Sequence, residues 1–154
     1  MTMKYAFAFL MFAAPAMAQS VGDCGDTVTA RNLAEPWEAN SATYAGGDIR
    51  VAVIDTLEPA AAAVHLMVLS PPRNEVGDRQ CRLISFEQAE GGVGIGFFDI
   101  DFAKRSAEYD PSRGLTLTVP VEAFDVDTGG GKPHQMKVTI NQSSGEVTAM
   151  VAGK

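Results

Sequence analysis

Cysteine occurs twice in this chain of 154 residues, histidine twice and tryptophan once. Each scarcity removes a class of chemistry. Two cysteines without a CxxC spacing and without a metal-spaced cluster leave no dithiol motif and no structural zinc site. Two histidines and no GxSxG turn leave no recognisable nucleophilic triad. Cations are in the minority: 12 lysines and arginines face 19 acids, for a net charge of −7. An acidic chain of this size repels polyanions, which argues against nucleic-acid binding and against adhesion to anionic membranes. Its plainest consequence is solubility.

The longest apolar run is short and stands at the N-terminus, in MTMKYAFAFLMFAAPAMAQS. One cation, Lys4, precedes an apolar stretch from Tyr5 to Ala14, followed by Pro15 and the tripeptide Ala16-Met17-Ala18. That order is the secretory signal pattern, with cleavage expected between Ala18 and Gln19. The run falls short of the ~20 apolar residues that span a bilayer, so no membrane insertion is expected after signal removal. Residues 1–18 therefore read as a signal peptide and 19–154 as a single small domain. The leader takes away Lys4 and no acid, so the net charge of the remainder moves from −7 to −8. A secreted or periplasmic location gives the two cysteines a simple purpose. Cys24 and Cys81 are expected to form a disulfide, stabilising by about 4 kcal/mol for a loop of that length.

The mature sequence is rich in strand patterns. In DIRVAVIDT, Ile49, Val51 and Val53 alternate with Asp48, Arg50 and Ala52. VHLMVLS is apolar on both faces apart from His65, as in a central strand. QCRLISF follows a loop that begins at Pro71-Pro72. In VGIGFFDIDF the apolar parity changes near Phe97, which predicts a bulge or bend there. LTLTVPV sets Leu115, Leu117, Val119 and Val121 inward, and Pro120 places its outer end at an edge. MKVTI and EVTAMV close the chain as a hairpin presenting Met136, Val138 and Ile140 to the core. About seven strands separated by turn signals predict an all-β fold, a single antiparallel β-sandwich or partly open barrel. The alternative is an α+β domain in which residues 60–69, Ala-rich and bounded by prolines, form a helix. Trp37 reads as a lid on the core more readily than as a ligand contact.

Several motifs fail on inspection. GGVGIGF lacks the GxGxxG spacing and has strand residues where a helix should open; TGGGKP follows Lys132 with a proline. The pairs Asp99/Asp101 and Asp125/Asp127 suit calcium or acid–base work in principle, but Met136 stands where a calcium loop needs its closing Glu. No residue is assigned a catalytic role.

One pattern survives. His65 is followed at i+2 by Met67, and His134 by Met136. On a strand, i and i+2 share a face about 6.6 Å apart, so an imidazole and a thioether can converge on one ion. That donor set suits copper, especially the cuprous ion. Both methionines also have a packing reason to exist. Three classes of function follow: an exported binding or accessory protein contacting another protein or an envelope component, a copper carrier using His65, Met67, His134 and Met136, and an enzyme of unrecognised type.

Overall fold

The computed structural model describes residues 20–57, 62–87 and 94–153. The proposed leader, residues 1–18, lies outside them. The described chain forms ten strands: β1 (Ser20–Asp23), β2 (Ser41–Tyr44), β3 (Ile49–Asp55), β4 (Val64–Arg73), β5 (Arg79–Ser85), β6 (Asp99–Ile100), β7 (Ser106–Asp110), β8 (Gly114–Asp125), β9 (Gly130–Ile140) and β10 (Val147–Ala152). They build two five-stranded antiparallel sheets, one in the order β1-β5-β4-β3-β2 and one in the order β10-β9-β8, with β7 and β6 sharing the far edge of β8. The result is a β-sandwich and not a closed barrel. Among the described residues the helical content is single 3-10 turns, and no helix is long and apolar enough to cross a membrane.

Alternation explains the second sheet. Leu115, Leu117, Val119 and Val121 of β8 point inward beside Met136, Val138 and Ile140 of β9 and Val147, Ala149 and Val151 of β10, all buried. From the first sheet they meet Ile49, Val51, Val53, Leu66, Val68 and Ile84 in one continuous core. Full burial of each such side chain is worth about 1.5–3 kcal/mol. The outward face of β8 and β9 is polar, and Thr116 pairs with Thr139, which pairs in turn with Thr148. Such cross-strand threonine pairs suit a half-solvated sheet.

The centre of the first sheet is covered on both faces, which is why Leu66 to Leu69 of β4 form an unbroken apolar run. Its outer face carries Ala52, Ile54, Met67 and Leu83, packed with Cys24 and, more loosely, Val28 and Leu33. The segment after β1 crosses this face and is pinned at three points. The disulfide joins Cys24 to Cys81 of β5, with Cα atoms 5.5 Å apart. Leu33 bridges to Ile54, and Asn32 Nδ2 donates to the Asp55 carbonyl at 3.1 Å. Across the sandwich, Gln80 Nε2 of β5 donates to the Gly145 carbonyl in the β9–β10 turn at 2.6 Å. It also lies within bonding distance of Ser70 Oγ and the Pro71 carbonyl.

Four readings of the sequence are overturned. Residues 64–69 belong to β4, so the helix considered over 60–69 does not form there. β4 also continues through Pro71 and Pro72, and the register shifts between Ser70 and Arg73. Two residues without an N–H sit in a bulge, not in a ladder. The bend expected near Phe97 is present: isolated bridges join Ile95 to Glu87 and Phe97 to Val64 before β6 pairs with β8. The chain is changing sheets there, and it bends at Phe98. Pro120 is not at an edge, because β8 is the centre of its sheet. Its carbonyl accepts from Asp101 N at 3.0 Å, so its missing donor faces the joint where β7 pairing ends at Thr118 and β6 pairing begins at Val121. Trp37 does not cover the core; it is 54% exposed in the turn before β2.

Candidate functional site

The two His-Met pairs face different surroundings. His65 and Met67 project from the outer face of the first sheet; Met67 packs in the smaller cluster beneath the disulfide-anchored segment. Met136 lies in the main core between the sheets, and His134 shares its face of β9 at the rim. His134 Nδ1 donates to the Ala152 carbonyl at 3.2 Å, and its ring sits 6.3 Å from that of Phe86. One pair therefore projects from the outer face of the first sheet and the other from the inner face of the second. The four side chains proposed for copper are not brought onto a common face.

His65 is 1% exposed. Its Nδ1 shares a hydrogen bond of 3.0 Å with Ser85 Oγ, from the neighbouring strand β5. The chain at Gly94–Phe97 closes over both groups. A Cβ on Gly96 would lie 2.6 Å from the carbonyl oxygens of Ala62 and Val64 and 2.9 Å from His65 Nε2, so only glycine permits this approach. Burial pushes the His65 imidazole down from its usual 6.5 to about 4, although Asp55 opposes the shift. A neutral His beside a serine resembles a base and its nucleophile. Ser85 is also buried, at 3% exposure. The hydrogen bond ties β4 to β5 beneath Gly94 and Gly96.

One carboxylate of each pair has a local partner. Asp101 caps the turn at Phe102–Lys104, accepting from Lys104 N and pairing with Lys104 Nζ at 2.6 Å. That hydrogen bond holds its carboxyl below the ordinary value. Asp125 Oδ1 accepts from Asp127 N at 3.0 Å within the β8–β9 turn. Among the described residues no three His, Cys, Asp or Glu side chains gather as a metal site.

A concave feature among the described residues lies elsewhere, between β2 of the first sheet and β7 of the second. This cleft has a volume of about 490 Å³. Ile49 and Leu115, both core residues, form its floor. Tyr44 and Ala45 make one wall, Ala107, Glu108 and Tyr109 the other, and Gln142 stands at its end. The walls are braced: Arg105 Nε donates to the Tyr44 hydroxyl at 3.0 Å, while its guanidinium lies 4.2 Å above the Phe102 ring and Nη1 donates to the Phe102 carbonyl. Both walls are terminal strands of their sheets. These residues carry little signal in the sequence, because the alternation in SAEYD is short and rests on one Ala and one Tyr; the turn Asp110-Pro111-Ser112-Arg113-Gly114 after it closes a hairpin as readily as a loop. Compared with family models, with curated proteins and with solved structures, the chain matches none, so the cleft is read from its own chemistry.

Proposed function

We propose that this chain is an exported accessory domain that holds a protein or envelope component in the cleft between β2 and β7. The carrying observation is the cleft itself: concave, floored by core aliphatic residues, flanked by two tyrosines and braced by Arg105. Pockets of this size with an apolar lining and few polar groups are the usual place for ligand contact. Its lining includes no histidine, cysteine, serine or lysine, and one carboxylate alone, so it offers no nucleophile beside a base. Binding therefore fits it better than catalysis. The leader pattern of residues 1–18 and the Cys24–Cys81 bridge support an oxidising compartment outside the cytoplasm.

A displayed library of random short peptides, panned on the protein, tests this reading. Enriched peptides should bind wild type and lose binding to Ala107→Trp, which fills the cleft from an exposed position. Failure to enrich any sequence, or equal binding to the filled variant, would remove the cleft as the contact site.

A further inference from the structure

Successive side chains of a strand point to opposite faces. A cleft lined by three consecutive residues, Ala107, Glu108 and Tyr109, must therefore run along the edge of β7 and not across one of its faces. The other edge of β7 is taken. It pairs with β8 through Ser106 with Thr118, Glu108 with Thr116 and Asp110 with Gly114. At the closing turn Arg113 N donates to the Asp110 carbonyl at 3.1 Å, and Gly114 adopts the φ of +93° that a three-residue hairpin loop requires. Residues of an antiparallel strand alternate between bonding toward one neighbour and toward the other. Asp110, Glu108 and Ser106 thus bond to β8, and Ala107 and Tyr109 direct their N–H and C=O groups into the cleft. No strand among the described residues pairs with them there.

The side chains divide the other way. Ala107 and Tyr109 pair in register with the inward residues Leu117 and Leu115, so they share the face above the cleft floor. Glu108 shares the solvent face with Thr116. Asp110 is paired with Arg113, whereas Glu108 makes no ion pair among the described residues.

We infer that the free edge of β7 takes up an extended peptide as an additional antiparallel strand, and that this peptide carries a lysine or arginine between two apolar residues. The apolar residues fall opposite Ala107 and Tyr109 and cover Ile49 and Leu115; the cation falls opposite Glu108. Main-chain hydrogen bonds give such a complex its affinity, and the alternating side chains give it its choice of sequence. A second copy of this chain is a poorer occupant, because two β7 strands paired about Glu108 would set like charges opposite each other on a chain whose net charge is already −7. This inference rests on the cleft being the contact site.

The test is a titration of the isotope-labelled, disulfide-bonded protein with three acetylated and amidated peptides, followed by backbone amide shifts. The first is Thr-Val-Lys-Val-Thr, the second replaces its Lys by Glu, and the third is the first with both valine nitrogens methylated. The first should shift the amides of Ala107 and Tyr109 and slow their exchange. The methylated peptide should bind about tenfold more weakly, having lost its two strand-forming donors. The Glu peptide should bind about threefold more weakly than the Lys peptide, and Glu108→Lys should reverse that order. Equal binding of methylated and unmethylated peptides within the cleft overturns strand addition and leaves the cleft reading in place. No shift in the cleft with any of the three overturns both. Concentration-dependent shifts at Ala107 and Tyr109 without peptide would assign the edge to a second copy and overturn the peptide assignment.

Discussion

His65 Nδ1 and Ser85 Oγ lie 3.0 Å apart beneath the backbone of Gly96, a buried polar link beside the apolar cluster on the outer face of the first sheet. Its energetics depend on the imidazole staying neutral. In the folded chain the pKa is pushed down to about 4, against 6.5 when exposed. Between these values the unfolded chain takes up a proton that the folded chain refuses. The stability that His65 contributes is therefore present above about pH 6.5 and lost as the pH falls through about 4, by about 3 kcal/mol in all. Urea midpoints of wild type and His65→Gln should converge between pH 7 and pH 4. Parallel curves would show that His65 does not titrate as its burial requires.

Gly96→Ala tests the close approach over that histidine. The new Cβ meets two backbone carbonyls at 2.6 Å, and neither belongs to a flexible side chain that could yield. A loss of about 1–3 kcal/mol in urea denaturation is expected, the cost of overpacking. A change below about 0.5 kcal/mol, typical of an ordinary surface substitution, would contradict the packing described.

The disulfide should matter locally as well as globally. Cys24→Ala with Cys81→Ala should cost about 2–5 kcal/mol. Amide exchange should quicken at Ile54, Met67 and Leu83, whose cover is released, while Val119 and Val138 between the sheets keep more of their protection. Uniform loss of protection would mean that the segment after β1 is integral to the main core.

The two His-Met pairs lead to a plain expectation for copper. With Met67 in the outer cluster and Met136 in the core, wild type and His65→Ala, His134→Ala should retain equal amounts of cuprous ion after dialysis. Retention that falls in the double variant would show that the pairs do cooperate.

The sandwich was legible wherever side chains alternate. β8 and the β9–β10 hairpin could be read from Leu115, Leu117, Val119 and Val121 and from Met136, Val138 and Ile140, because each inward residue is apolar and buried. β1, β2 and β7 were not legible. Ser106 to Tyr109 are all exposed, and an edge strand needs only its backbone to pair. The prolines carried half of their message. Pro71, Pro72 and Pro120 do avoid regular ladder positions, but which neighbour is missing depends on register, which no local window contains. The same holds for the His-Met pairs: spacing puts His65 with Met67 and His134 with Met136, and only the sheet order decides that one pair faces out and the other in. The cleft was least visible, since its β7 wall is a strand edge and its floor residues, Ile49 and Leu115, read simply as core.

Partners are proposed to meet this domain between β2 and β7. The most direct measurement places a photoreactive benzophenone amino acid at Tyr109, which is 67% exposed at the cleft, and separately at Thr148, exposed on β10 in the same sheet with β9 and β8 between it and β7. Irradiation of cells making each form should give a discrete adduct from position 109, abolished by Ala107→Trp, and none from position 148. Adducts from position 148 alone, or from 109 irrespective of the filled cleft, would contradict the account.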